Sequence, residues 1–328
     1  MIATAVSHYP KVGEGPGGQA LRQAIARLDR REITESELAA VADAVTEEVI
    51  RQQEKAGLDL VTDGQVRWQD PITYVCSRLE GFEIGGLLRW FESNTYYRQP
   101  AAIGPIRWRG PILVDDLRFA RAHADRPVKT VVTGPYTIAT LSEPAEGSSW
   151  QQLALEVARA LNEELKALAA ESPPWIQVDE PAVTANPSVG YPRDFALFAE
   201  AMAVLTEGVA APLSLYLYHG SAGDVPGLHE TRFDLIGLDL VQGAAGWALL
   251  EDWPRGKGLG LGIVDARNVR MEEAGGLAEM IARGVAAVGE ERLHVHPSCG
   301  LEFLPRETAF EKLSRMAEAV RAAEGAVV

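Results

Sequence analysis

The sequence predicts a TIM-type (β/α)8 barrel, an α/β fold, and three observations carry that expectation. Eight short apolar runs, rich in β-branched residues, recur along the chain. Segments of helical periodicity separate them, the pattern of parallel strands joined by crossover helices. Each run ends in polar or glycine-containing residues, as strands do where a barrel of this kind gathers its chemistry.

In order, the runs are IATAV (2–6), LDLVT (58–62), VKTVV (128–132), WIQV (175–178), LSLYL (213–217), LIGLDL (235–240), LGLGIV (259–264) and LHVH (293–296). Between them, helical spacing predicts helices over 36–55, 150–170 and 306–323, the first with Ser36 as N-cap and Gly57 just past its end. The stretch 81–110 breaks the rhythm. Its alternating aromatic and polar residues and its glycines predict a β-hairpin inserted after the second βα unit and covering one mouth of the barrel. Cys76 lies in PITYVCSRLEGF, where the apolar spacing is helical and a buried core thiol is expected.

Composition limits the function classes. At 328 residues and 47% hydrophobic content the chain can bury a large core, and a single barrel over 1–328 with modest insertions is expected. A formal charge of −15 with no basic run argues against nucleic acid as a partner, because phosphate binding needs clustered Lys and Arg. No apolar run approaches the roughly 18 residues of a membrane span, and no signal-like segment opens the chain. Two distant cysteines, Cys76 and Cys299, are too few for a disulfide framework. A reducing, cytoplasmic setting is expected.

The residues that follow the eight runs are Ser7-His8, Asp63-Gly64-Gln65 with Arg67, Thr133-Gly134, Asp179-Glu180, Tyr218-His219, Asp239 with Gln242, Asp265, and His296 with Cys299. Asp, Ser and Gly also cap helices and form turns. Their convergence from all eight strand ends points instead to an active site.

These residues carry a family resemblance. The segments VTDGQVR (61–67), TGPYTIA (133–139), IQVDEPA (176–182) and HPSCGLEFLP (296–305) resemble signature blocks of the catalytic barrel of cobalamin-independent methionine synthases, in the family's order, and TYYRQP (95–100) resembles its aromatic segment. The resemblance implies methyl transfer to the sulfur of homocysteine or a related small thiol, with zinc holding the thiol as a thiolate. A metal achieves this by displacing a proton from a group whose free pKa is about 8.5. The resemblance also implies that Asp179, with Glu180 beside it, and Gln65 bind the amino group of the amino acid, while Ser7 meets its carboxylate. The chain resembles the short, single-barrel members, and the implied methyl donor is a folate, methylcobalamin or a corrinoid protein.

The resemblance fails where the metal should sit. The family's His-x-Cys pair on the fifth strand is replaced by Tyr216-Leu217-Tyr218, the acidic ligand corresponds to Asp239, and Cys299 is unchanged. A substitute set of His219, Asp239, His296 and Cys299 would make an ordinary N₂OS zinc site. His219-Gly220 also reads as a turn, and the spacing of His294 and His296 as one face of a strand. Where the family's longer members carry a histidine after the seventh strand this chain has Asp265, a candidate proton-transfer group with Cys299 at the sulfur end. Two further functions remain open on the sequence: another thiol transferase or lyase on the same scaffold, and a non-catalytic amino-acid-binding barrel.

Overall fold

The computed structural model describes residues 1–13, 18–184 and 193–325. Seven parallel strands form one sheet: β1 (Ile2–Ala3), β4 (Thr130–Thr133), β5 (Ile176–Asp179), β6 (Leu213–Leu217), β7 (Leu235–Asp239), β8 (Gly258–Val264) and β9 (Leu293–Pro297), in the order β1-β9-β8-β7-β6-β5-β4. The run 58–62 closes this sheet on itself, because Thr4 bridges Leu60 on one side and Val61 bridges Val128 on the other, both in parallel. It is the eighth stave, so all eight runs read from the sequence take part in the barrel. Strands β4 to β9 are buried on both faces, which explains their near-continuous apolar character.

The helices form because their apolar residues recur at helical spacing and their first turns are capped. Helix α1 (Ala20–Asp29) precedes α2 (Glu35–Lys55), whose N-cap is Thr34 rather than the expected Ser36. The Thr34 hydroxyl accepts from the Glu37 N–H, and the Glu37 carboxylate accepts from the Thr34 N–H at 2.8 Å. This capping box satisfies two end donors at once and draws the helix start back. Gly57, with φ +91°, follows the C-cap as expected. The short α3 (Thr73–Cys76) buries Cys76 in the core, and α4 (Val114–His123) and α5 (Pro135–Thr140) follow. Helix α6 (Trp150–Ala170) has the expected bounds and buries Leu153, Val157, Leu161, Leu165 and Leu168 on one face. Each such side chain contributes roughly 1.5–3 kcal/mol. Beyond the short α7 (Pro181–Thr184), α8 (Phe195–Thr206), α9 (Ala274–Val288) and α10 (Arg306–Gly325) complete the outer layer. Among the described residues no helix is long and apolar enough to cross a membrane.

The departure at 81–110 is the antiparallel pair β2 (Glu80–Arg89) and β3 (Tyr96–Arg107), inserted between the second stave and α4. Its return is fixed by the buried Glu164 of α6, which accepts from the Trp108 indole at 2.7 Å and from the backbone of Ile112 and Leu113. At its tip Trp90 and Phe91 are buried, and Arg267 donates to the Glu92 carbonyl at 2.9 Å. The tip therefore lies over the C-terminal ends of the strands, the mouth that the polar residues ring.

Candidate active site

Alternation along β5 decides which carboxylate faces the lumen. Gln177 and Asp179 share the inward face and Glu180, one residue on, turns outward. Asp179 accepts from Gln177 Nε2 at 2.6 Å and from the Tyr218 hydroxyl at 3.0 Å. Burial pushes its pKa up to about 6 against those donors and the nearby Lys129 ammonium. Ser7, at the end of the first stave, is buried with its hydroxyl beside Gly300 and near Asp179.

Glu180 is a correction to the sequence reading. Its two oxygens accept from Tyr136 N at 2.9 Å, from Thr137 N at 2.7 Å and from the Thr137 hydroxyl at 2.6 Å, the first turn of α5. A carboxylate there satisfies end donors and favours the positive end of the helix. Gly134 fits because any Cβ at that position would overlap the Glu180 carboxyl. Glu180 is a helix cap from a neighbouring strand and does not face a ligand.

The loops after β1 and β9 are zipped together by Leu301 N donating to His8 O at 2.8 Å. Between them opens a cleft of about 310 Å³ lined by His8, Lys11, Asp70, Thr95, Glu302 and Leu304, among others. Lys11 donates to the Trp68 carbonyl, and burial lowers its pKa to about 8. His8 Nε2 and Glu302 Oε2 are buried without a partner. Burial raises Glu302 to about 7. The Glu302 carboxyl and the Ser7 hydroxyl both flank the side of Gly300 where a Cβ would stand, so cleft and Asp179 cluster are contiguous. Gln65, held at φ +50° with its N–H on Asp63 Oδ1 at 3.0 Å, leaves its Oε1 buried and unpartnered. Of the residues in this site, the sequence reading placed His8 at a strand end without giving it a role, and missed Lys11, Lys129 and Glu302. Lys129 carried a signal, since a lysine inside VKTVV is anomalous for a strand buried on both faces.

The four expected metal ligands do not assemble. Among the described residues no three His, Cys, Asp or Glu side chains come together as a metal centre. His296 points down into the lumen, where Nδ1 donates to the Pro297 carbonyl at 2.6 Å and the ring packs 4.7 Å from that of Tyr216. Gly237, Gly260 and Gly262 make room for these rings, because a Cβ at Gly237 would lie 2.6 Å from Tyr216 and one at Gly260 2.8 Å from His296. Asp239 already accepts three backbone N–H groups, from His219 at 3.2 Å, Val241 at 3.0 Å and Gln242 at 2.9 Å. His219, at φ +67°, sets its ring among Phe91, Tyr218 and Phe303, with both nitrogens unpartnered, and burial lowers its pKa to about 3. Cys299 is buried, donates to the Gly300 carbonyl at 3.4 Å, and is held as a thiol by burial and by the Glu302 and Asp239 carboxyls. These residues do not fit the zinc that the resemblance implies. One oxygen of Asp265 closes a turn onto Arg267 N at 2.9 Å.

The profile of the family described as "Cobalamin-independent synthase, Catalytic domain" matches residues 8–322. The methionine synthase of Saccharolobus solfataricus is 30% identical over 314 residues, spanning 94% of this chain and 92% of that protein. That of Thermococcus kodakarensis is 31% identical over 278 residues, 83% and 80% of the two chains. A B12-independent methionine synthase from Shewanella sp. W3-18-1, solved in complex with selenomethionine, superposes with a TM-score of 0.80 at 21% identity, over 99% of this chain and 98% of that one. The chain belongs to the cobalamin-independent synthase catalytic-domain family.

Proposed function

We propose that this chain is a cytoplasmic methyltransferase that converts homocysteine to methionine, with residues 1–328 acting as a single catalytic barrel. Its relatives are named methionine synthases and are matched over 92% and 80% of their length. The observation that carries the proposal is the inward carboxylate of Asp179 at the end of β5. It is buried near a cleft lined by Lys11, His8 and Glu302, and the Gln65 Oε1 is likewise buried without a partner. In water an ammonium–carboxylate pair contributes little, but in a desolvated site with charge-assisted hydrogen bonds it contributes more.

In this reading Asp179 and Gln65 Oε1 receive the ammonium of homocysteine, and Lys11 with His8 and the Ser7 hydroxyl takes the carboxylate. Tyr218 and Gln177 hold Asp179 in position, and Lys129 below it favours the ionised form. The hairpin tip at Trp90 and Phe91 excludes water above His219. Exclusion strengthens every electrostatic contact inside. The donor is a methylated tetrahydrofolate, methylcobalamin or a methylated corrinoid protein. Methionine formation from homocysteine assayed with each donor tests the proposal and identifies the donor, and no product with any of them rejects it.

A further inference from the structure

Resting on that reading, we propose that this barrel transfers the methyl group without zinc and that Glu302 is the catalytic residue that takes the thiol proton. A thiol must lose its proton to become a good nucleophile. The four side chains that would hold a metal for this purpose are not brought together among the described residues: Asp239 accepts three backbone N–H groups, His296 Nδ1 donates to Pro297 O, and His219 and Cys299 join no cluster of three ligands. A proton acceptor at the cleft must replace the metal.

Glu302 meets the geometric requirements. It lines the cleft, its Oε2 has no partner, and its carboxyl stands beside Gly300 next to the Ser7 hydroxyl, which lies near Asp179. A homocysteine anchored through its ammonium at Asp179 extends its thiol along this wall. The alternatives are weaker. Asp179 is committed to two donors and the ammonium, the His219 ring is packed among Phe91, Tyr218 and Phe303, and His8 is buried beside the Lys11 ammonium, which disfavours a second positive charge. Glu302 is also held near neutral proton affinity by burial, with Lys11 opposing Asp179.

The step balances. The S–H bond breaks and its proton passes to a Glu302 oxygen. The sulfur electron pair forms the new S–CH₃ bond. The bond from methyl to the donor's nitrogen or cobalt breaks with its electrons left on the donor. With a tetrahydrofolate donor, the freed nitrogen takes up a proton that Glu302 can return.

The test uses the full chain produced with zinc in the medium, as parent, Glu302→Gln and Glu302→Asp. Zinc per chain is measured after dialysis, homocysteine binding by calorimetry, and methionine formation with methylcobalamin and with methyltetrahydrofolate, each with and without a chelator. The expected result is a parent with substoichiometric zinc and chelator-insensitive turnover. Glu302→Gln should lose roughly 10²–10⁴-fold in kcat, the usual contribution of a general base, while keeping its homocysteine affinity. Glu302→Asp should recover part of the rate. Stoichiometric zinc whose removal stops turnover, or parental kcat in Glu302→Gln, overturns the inference and leaves the function standing. Lost homocysteine affinity in Glu302→Gln makes the residue part of the binding site and equally overturns the proton role. A parent that methylates homocysteine with neither donor, nor with a methylated corrinoid protein, overturns both. Should Glu302→Gln fail to fold, the metal content of the parent and the kcat of Glu302→Asp decide.

Discussion

Replacing Asp179 by Asn removes one negative charge and almost no volume. In the parent the carboxylate accepts from Gln177 at 2.6 Å and Tyr218 at 3.0 Å and retains lone pairs for a substrate ammonium. A hydrogen bond to a charged group contributes about 1.5–3 kcal/mol, so homocysteine should bind the variant roughly 10–150-fold more weakly. Stability moves the other way. The folded pKa is raised from 3.8 to about 6, so this side chain adds stability below the unfolded pKa, and that stability is lost as pH rises through about 6. At 1.36 kcal/mol per unit this is at most about 3 kcal/mol, which Asn does not forfeit at high pH. Relative to the parent, Asp179→Asn should therefore gain stability between pH 4 and pH 8 in urea unfolding, while calorimetry at pH 7.5 shows the weakened binding. As pH falls through about 6 the parent's affinity should drop toward that of the variant. Unchanged homocysteine affinity at pH 7.5 would remove Asp179 from the binding site and refute the reasoning.

Other perturbations separate structure from chemistry. Glu180→Ala leaves three donors of α5 without an acceptor, so at about 1–3 kcal/mol per orphaned group it should lose about 3 kcal/mol or more in chemical denaturation. Homocysteine affinity at permissive temperature should be retained, and a selective loss of binding would return Glu180 to the site. Gly237→Ala sets a methyl 2.6 Å from the Tyr216 ring and should cost about 1–3 kcal/mol by overpacking. A neutral result there would mean that the lumen is not filled by Tyr216. Thr34→Ala breaks the capping box of α2 and should lower unfolding stability by about 1 kcal/mol, whereas Ser36→Ala should change it little.

The barrel was legible because its signal is periodic. Each stave is a buried apolar run, and the turn polarity at its end marks which mouth carries chemistry. Asp179 was legible for the same reason, and the period of two along β5 already separates it from Glu180. That separation was missed because the VDEP block was taken as a unit. The N-cap of α2 moved from Ser36 to Thr34 because only Thr34 stands three residues before a glutamate that can answer it. The four expected ligands stay apart for a reason that sequence spacing does not encode. His296 continues the inward face of β9 into a lumen widened by Gly260 and Gly262, while a positive φ turns His219 under the hairpin tip. Lys11 and Glu302 come from loops almost the full chain apart, joined by Leu301 N on His8 O, and no local pattern announces such a pair.

The central claim is that homocysteine binds with its amino group on Asp179 and its sulfur toward Glu302 and Cys299. A crystal structure of the protein grown with homocysteine tests it most directly. The account predicts the ammonium within hydrogen-bond distance of an Asp179 oxygen, the carboxylate near Lys11, and the sulfur on the cleft wall formed by residues 299–302. An amino acid bound elsewhere on the barrel, or one whose sulfur is held by a metal between His219 and His296, would contradict it.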